Sequence, residues 1–344
     1  MTLDYDIQFM AEKLLAEAKE NLEIEEGQII VITPDSGKIV ALANFPNFNP
    51  NQYKEYATDG YLEIFKNGAT QKLFEPGSVL KPITFAAALE EEKITPQTTY
   101  VDEGKVKIDG RTIYNYDGKV YGLQTMTNVL EKSINTGAVF AEKKLSDNTF
   151  LDYLEKFGIF EESGIDLPEV YSKNEEFKKG YEVNFATASF GQGIEMTPIQ
   201  LARAYCAIAN GGKLVRPYLL SSATFSDKKE EERQVISSKT ASQLTSMLVS
   251  VVENGFGKRA KIPGYYIAGK TGTAQVAEGG KYSTEKTIQT FAGFFPAFNP
   301  QFLILVKLNN PKTKTAEYSA VPIFHDLAEY IIHYYQIPPD YAID

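Results

Sequence analysis

The chain has 344 residues, 43% hydrophobic and 23% charged, enough to bury a large core as one large domain or two ordinary ones. Its formal net charge of −10 argues against a broad surface for nucleic acid or anionic membrane, while leaving room for a local cationic pocket. One cysteine, Cys206, excludes an intrachain disulfide and a cysteine-based metal cluster, and the two histidines, His325 and His333, lie together near the C-terminus, so neither a Ser-His-Asp triad nor a histidine-rich metal centre is expected.

From Asp6 to Asn21, Ile7, Met10, Leu14 and Leu15 fall on one side, which predicts an amphipathic helix. Gln28 to Thr33 and Lys38 to Ala43 read as strands joined by Pro34-Asp35-Ser36-Gly37, where proline presets a turn and glycine supplies a positive φ. Pro46, Pro50 and the asparagines between them mark a loop. Helical patterns then run from Lys81 to about Tyr153, interrupted by a Gly/Asp-rich, hairpin-like insert from Val101 to Tyr121. Thr197 caps a helix with Pro198 in its first turn, ending at Asn210-Gly211-Gly212. Cys206 lies in the apolar run Leu201 to Ala209 of that helix and reads as core packing.

The charge run Asp227 to Arg233 reads as a solvated loop tip, and Ser237 or Ser238 caps a helix ending near Gly255. Three strand-like runs follow, Tyr265 to Ala268, Thr290 to Phe295 and Phe302 to Leu308, before a C-terminal helix. Strands near both ends with helices between them predict an α/β (α+β) fold whose antiparallel sheet is built from both chain termini and flanked by helices. A mostly helical subdomain is expected over roughly 82–200 of a single domain spanning 1–344. No run of about 20 apolar residues occurs. No signal-peptide pattern follows Met1.

Three short motifs carry candidate chemistry. In Phe74-Glu75-Pro76-Gly77-Ser78-Val79-Leu80-Lys81-Pro82 a Pro-Gly turn precedes a serine, and Lys81 stands one helical turn later on the same face. A neutral Lys81 would take the Ser78 proton, making a nucleophile without histidine. Bringing a lysine pKa from about 10.4 to near 7 demands about 4–5 kcal/mol from burial or a neighbouring cation. Ser-x-x-Lys also occurs at Ser226/Lys229 and Ser283/Lys286, but both lie in polar stretches with no buried helix behind them to desolvate the lysine. Read alone, Ser78 and Lys81 fit an N-cap serine with a snorkelling lysine equally well.

Ala268-Gly269-Lys270-Thr271-Gly272-Thr273-Ala274 sits at the end of a strand-like run and holds the chain's one Lys-Thr-Gly. Gly272 admits a ligand backbone, Lys270 offers a charge for a carboxylate, and Thr271 a hydroxyl for the same group. The plainer reading is a strand that turns at Gly272 and exposes Lys270. Between these motifs, Glu131-Lys132-Ser133-Ile134-Asn135-Thr136-Gly137 is a polar break between two apolar helical runs, suited to proton transfer and to holding an amide. Ser146-Asp147-Asn148 matches the spelling Ser-Asp-Asn more closely. Ser146 precedes Phe150, Leu151, Leu154 and Phe157 at helical spacing, so it is read as an N-cap and Ser133 is preferred.

The three elements, in order at Ser78, Ser133 and Lys270, resemble the Ser-x-x-Lys, Ser-Asp-Asn and Lys-Thr-Gly signature of penicillin-binding proteins and class A β-lactamases. Beyond the triplet the chain is similar to the class B penicillin-binding proteins. The likeness runs through Thr2-Leu3-Asp4, Val31 to Pro50, Phe74 to Ser78, Thr187 to Gln200, Gly264 to Gln275 and Tyr318 to Asp340. Thr112 to Phe140 is nearer to the cell-division type than to the elongation type. The resemblance implies a serine D,D-transpeptidase cross-linking peptidoglycan stem peptides that end in D-Ala-D-Ala, blocked by β-lactams and needing neither metal nor organic cofactor.

By the same resemblance Ser78 is the acylated nucleophile and Lys81 its base, Ser133 relays a proton, and Asn135 binds the substrate amide and orients Lys81. Lys270, Thr271, Gly272 and Thr273 hold the terminal carboxylate, and the backbone N–H groups of Ser78 and Thr273 form the oxyanion hole. It also implies a polytopic glycosyltransferase and division proteins as partners, and a place at the extracytoplasmic face of the bacterial cell membrane. Such proteins carry a membrane anchor and a pedestal before the Thr-Leu-Asp segment, whereas Met1 stands directly before it here. A piece of a longer, anchored protein is therefore expected.

The rival readings are a class A β-lactamase, with Glu161 or Glu162 as the water-activating residue, a D,D-carboxypeptidase, and a non-catalytic β-lactam sensor or divisome scaffold. The surrounding Glu-Glu-Ser-Gly-Ile-Asp-Leu-Pro resembles the transpeptidases rather than the lactamases.

Overall fold

The computed structural model describes residues 1–57, 62–220, 233–278 and 281–342. Most of the charge run, 227–232, and the Ser226/Lys229 pair lie outside the described residues.

The frame is a five-stranded antiparallel sheet of β1 (Glu26–Ile32), β2 (Ile39–Phe45), β3 (Ala268–Glu278), β4 (Lys281–Phe295) and β5 (Phe302–Asn309), in the order β2-β1-β5-β4-β3. The predicted union of the two chain ends is the β1–β5 ladder, with Glu26 opposite Asn309 and Ile32 opposite Leu303. The β1–β2 hairpin turns at the predicted place, where Gly37 takes a φ of +75°.

Strand alternation explains why both faces of this sheet are dry. Ile29 and Val31 of β1, Ile304 and Val306 of β5, and Phe291 and Phe295 of β4 point to one side. There they pack with α1 (Tyr5–Leu22) and the C-terminal helix Ala320–Tyr335. Ile30, Ile32, Leu303, Leu305 and Phe294 point to the other side, where a helical layer covers them. That layer contains α2 (Lys81–Glu90), α3 (Met126–Glu131), α4 (Asn135–Glu142), α5 (Asp147–Lys156), α6 (Pro198–Ala209) and α7 (Ser238–Asn254). The C-terminal helix is α8.

Local chemistry sets the helix starts. Asp4 caps α1, and Thr197 with Gln200 forms a capping box on α6. Ser237 caps α7, and Ser146 caps α5 by accepting the Thr149 N–H at 3.1 Å. Cys206 is fully buried in α6. Among the described residues no helix is long and apolar enough to cross a membrane, and no group of side chains is spaced to hold a metal ion.

Two strand expectations are too short: the run Thr290 to Phe295 is the end of β4, which begins at Lys281, and β3 departs further. The run Tyr265 to Ala268 was predicted as a strand that ends before the Lys-Thr-Gly; instead β3 starts at Ala268 and continues through Lys270, Thr271 and Gly272 to Glu278. The segment is an edge strand. Its residues past Lys270 include Thr271, Thr273 and Gln275, which line an open cleft and so break the apolar pattern by which a strand is recognised.

The predicted insert is two small antiparallel ladders. Thr99–Asp102 pairs with Gly122–Thr125 and, within that loop, Lys105–Ile108 pairs with Arg111–Tyr114. Asp102, 1% exposed, ties the insert together. It accepts hydrogen bonds from the Gly104 and Tyr121 N–H groups (3.1 and 2.8 Å), the Asn115 amide (2.9 Å to each oxygen) and the Thr136 hydroxyl (2.5 Å). Burial pushes its pKa up, but these donors outweigh it and hold the carboxyl below its ordinary value. Thr136 belongs to the first turn of α4, so the insert is fastened to the helix that follows Ser133.

Glu142, in the last turn of α4, is fully buried, and neither carboxylate oxygen has a hydrogen-bond partner. Burial raises its pKa from 4.5 to about 7, against a weaker opposing pull from Lys143. The folded chain therefore holds this proton where the unfolded chain releases it. The stabilisation is complete below pH 4.5 and fades as pH rises through about 7, a loss of about 3 kcal/mol. Urea unfolding at pH 5 and pH 8 is expected to show this decline in wild type and to lose most of it in Glu142→Gln.

Candidate active site

A cavity of about 850 Å³ opens between the edge strand β3, the turn that carries Ser78 and the insert. Ser78, Ser133, Asn135, Thr271 and Thr273 line it. The turn Gly77–Leu80 is a 3-10 helix that runs without a break into α2 at Lys81. Pro82 fits there because a first-turn residue needs no N–H partner within its helix. Ile83, Phe85 and the alanines 86–88 are fully buried, which carries Lys81 inside with them.

The turn is held from several sides. Phe74 exchanges two backbone hydrogen bonds with Met196, the Gly77 N–H donates to the Gly191 carbonyl at 2.9 Å, and the buried Tyr205 hydroxyl donates to the Val79 carbonyl at 2.7 Å. Glu75 adds a tie, accepting from the Gly193 N–H at 3.0 Å and the Tyr282 hydroxyl at 3.2 Å. On the opposite side β3 comes so close that a Cβ on Gly272 would lie 2.9 Å from the Pro76 carbonyl oxygen and 3.0 Å from Val79 Cγ1. Glycine here is a packing requirement that sets the distance between the two motifs.

Lys81 Nζ lies 3.0 Å from Ser78 Oγ, 2.6 Å from the Ser133 carbonyl oxygen, 3.2 Å from Ser133 Oγ and 2.9 Å from Asn135 Oδ1. Two of these four oxygens are carbonyls, which can only accept. A neutral amine has two N–H groups and one lone pair, so donating to both carbonyls leaves the lone pair for a hydroxyl proton. Lys81 is fully buried. That burial, helped by the Lys270 charge, holds its pKa well below that of a free lysine. Geometry and electrostatics agree on an amine able to accept the Ser78 proton.

Lys270 is also fully buried, and burial lowers its pKa to about 7. Its Nζ donates to Ser133 Oγ at 2.9 Å and to the Thr271 carbonyl at 3.0 Å. Ser133 Oγ therefore bridges the two lysines. Ser133 has a φ of +53°, an uncommon conformation for a residue with a Cβ, and Ile134, Asn135 and Thr136 lead directly from it into α4. The Asn135 amide N–H donates to the Tyr114 carbonyl of the insert at 3.1 Å. Thr271 is buried, and Thr273 is half-buried with its Oγ1 accepting the Ala316 N–H at 3.3 Å.

The structure thus brings together every residue selected from the sequence: Ser78, Lys81, Ser133, Asn135, Lys270, Thr271, Gly272 and Thr273. It leaves the others apart. Ser146 is occupied in its cap, and Ser283 accepts the Glu285 and Lys286 N–H groups in a local turn with Lys286 exposed. Neither Glu161 nor Glu162 lines the cleft; the Glu161 carboxylate is taken by Arg203 at 3.2 Å and Arg233 at 2.6 Å. His325 and His333 do not line it either.

A profile of the penicillin binding protein transpeptidase domain matches residues 27–329. The chain belongs to this family. As a transpeptidase domain it is 32% identical to a peptidoglycan D,D-transpeptidase FtsI homolog of Mesostigma viride, over 98% of this chain and 62% of that protein. It is 34% identical to stage V sporulation protein D of Bacillus subtilis over 91% of this chain and 49% of that one. The chain thus spans about half to three-fifths of the length of these curated relatives. Among solved structures, penicillin binding protein 3 of Mycobacterium tuberculosis complexed with aztreonam superposes with a TM-score of 0.88 at 29% identity, covering 99% of this chain and 80% of that one. The transpeptidase domain of Burkholderia pseudomallei penicillin-binding protein 3 gives 0.87 at 26% identity, covering 99% and 98%.

Sequence reasoning missed the cleft's side walls. Tyr114, Tyr116, Lys119, Tyr121 and Lys132 come from the insert and the turn after α3, and Phe256 and Tyr318 from opposite ends of the C-terminal part. The Gly/Asp-rich composition showed that the insert turns tightly, but nothing in it indicated the face it presents to Ser133.

Proposed function

We propose that this chain is a serine D,D-transpeptidase that cross-links peptidoglycan stem peptides ending in D-Ala-D-Ala and is acylated by β-lactams. The observation that carries the reading is the buried Lys81 amine within hydrogen-bond distance of two carbonyl oxygens and of Ser78 Oγ, since a neutral amine that donates to both carbonyls keeps its lone pair for a hydroxyl proton.

In the first half-reaction Ser78 Oγ attacks the penultimate carbonyl carbon while its proton passes to Lys81 Nζ. The backbone N–H groups of Ser78 and Thr273 stabilise the resulting oxyanion, each donor being worth about 3–4 kcal/mol in comparable sites. Asn135 turns its amide from Tyr114 to the substrate backbone, and edge strand β3 takes the peptide as an added strand. Lys270 and the hydroxyls of Thr271 and Thr273 hold the terminal carboxylate. The C–N bond breaks, and the leaving D-alanine amine takes a proton from Ser133 Oγ, which regains one from Lys81. In the second half-reaction an amine of a neighbouring stem attacks the Ser78 ester and gives up its proton by the same route in reverse. Ser78 then leaves with its hydroxyl restored.

The engagement of Glu161 by two arginines favours slow deacylation over β-lactamase turnover. Division-type partners, a glycan polymerase among them, and an extracytoplasmic position follow from the same reading. Incubation with a D-Ala-D-Ala donor and an amine acceptor, followed by mass spectrometry, is expected to give released D-alanine and a donor–acceptor amide. Hydrolysed donor with no amide at any acceptor concentration would make the chain a carboxypeptidase. Multiple rapid turnovers of nitrocefin would make it a lactamase.

A further inference from the structure

The insert and the turn before Ser133 bring two lysines, Lys119 and Lys132, to the lining of the cleft. Lys132 Nζ donates to Gln124 Oε1 at 2.7 Å and lies 5.8 Å above the Tyr121 ring. Gln124 is 7% exposed, and its amide N–H groups are fixed on the Tyr121 and Leu123 carbonyls at 2.8 and 2.7 Å. A rigid buried amide therefore aims one oxygen at the ammonium, and one hydrogen bond leaves two of its three N–H donors unused.

The carboxylates of Glu131 and Asp102 are committed elsewhere. Glu131, the preceding residue, accepts from Ser250 at 2.5 Å and Asn128 at 2.9 Å, and Asp102 is saturated by neutral donors. Lys119 also lines the cleft, its carbonyl fixed by the Asn115 amide at 3.1 Å, and neither lysine forms an ion pair among the described residues. In a chain of net charge −10, two cleft lysines without an ion pair among the described residues are a specific arrangement. The cleft lining also holds Glu285, Glu317 and Lys314.

We infer that Lys119 and Lys132 form a carboxylate-recognising subsite, selecting stem peptides that carry a free carboxylate apart from the terminal one bound at Lys270. The inference rests on the transpeptidase reading. A positioned ammonium with donors to spare gains a charge-assisted hydrogen bond from a carboxylate that a carboxamide supplies only weakly. The cleft holds two peptide strands in turn, so the carboxylate belongs to the donor or to the acceptor.

The test compares wild type, Lys132→Met, Lys132→Arg and Lys119→Ala on two pairs of substrates. One pair is a D-Ala-D-Ala donor whose third side chain ends in a carboxylate or a carboxamide. The other is a D-amino acid acceptor or its amide. Comparing variant with wild type cancels the different basicity of the two amines. Wild type is expected to prefer the carboxylate form by about tenfold in kcat/KM on one strand. Lys132→Met and Lys119→Ala should bring that ratio toward unity, and Lys132→Arg should keep it. Equal use of both forms by wild type, or a ratio unmoved in Lys132→Met, overturns the subsite. Benzylpenicillin acylation of wild type, run alongside, separates the two failures: no acylation overturns the transpeptidase reading, whereas acylation without carboxylate preference overturns the subsite alone.

Discussion

Lys81→Met is expected to slow penicillin acylation of the chain by roughly a hundred- to ten-thousand-fold while leaving it folded. Among the described residues the lysine amine is the one basic group within hydrogen-bond distance of Ser78 Oγ, at 3.0 Å. Methionine fills a similar volume but offers no lone pair of comparable basicity. The folded state should not suffer in proportion, because a fully buried amine carries a desolvation cost that methionine lacks. Two groups do lose a donor, the Ser133 carbonyl and Asn135 Oδ1. Thermal denaturation of the variant separates lost chemistry from lost structure. A folded Lys81→Met acylating at the wild-type rate would mean that Ser78 is activated by some other group.

Asp102→Ala should be nearly as damaging, by a different route. The carboxylate collects the Gly104 and Tyr121 N–H groups, the Asn115 amide and the Thr136 hydroxyl. Alanine would leave those donors buried without an acceptor, at a cost of about 3 kcal/mol or more if the insert stays docked. Undocking of the insert is the cheaper response, so hydrogen exchange and proteolysis are expected to rise across Val101 to Tyr121. Acylation should fall as well, since Tyr114 of the insert holds the Asn135 amide. The Asp102 pKa is held below its ordinary 3.8, so this contribution is present above that value and is lost only as pH falls through the lower folded pKa. At neutral pH the full difference between wild type and Asp102→Asn is measurable. An Asp102→Ala chain with unchanged exchange over the insert would show that the network holds nothing in place.

The sheet was legible because strands pairing with both chain ends have strong local signals. Gln28 to Thr33 and Phe302 to Leu308 are nearly continuous apolar runs, as strands buried on both faces must be, and Gly37 marks its hairpin. The Ser78–Lys81 pair was legible through spacing. The two lie one turn apart on a chain that dives into an alanine-rich core, and the burial of Lys81 rather than the motif distinguishes them from Ser283/Lys286, whose lysine is exposed. What stayed hidden is relational. Nothing local reveals that Ser133 Oγ lies between two lysine amines from elements 52 and 137 residues away. Likewise the apolar signal of β3 stops short because an edge strand that lines an open cleft exchanges its apolar residues for Thr271, Thr273 and Gln275. The Asp102 network was invisible for a related reason: two of its four donors are backbone groups, which every sequence has, and the other two, Asn115 and Thr136, lie 13 and 34 residues away.

The central claim is that Ser78 is the acylated nucleophile of a transpeptidase domain. Labelling with a fluorescent penicillin, in wild type and Ser78→Ala side by side, tests it most directly. Wild type should take up one stable label per chain, with mass spectrometry placing it on the peptide that contains Ser78, and Ser78→Ala should take up none. A wild-type chain that fails to label, or an alanine variant that labels as wild type does, would contradict the account.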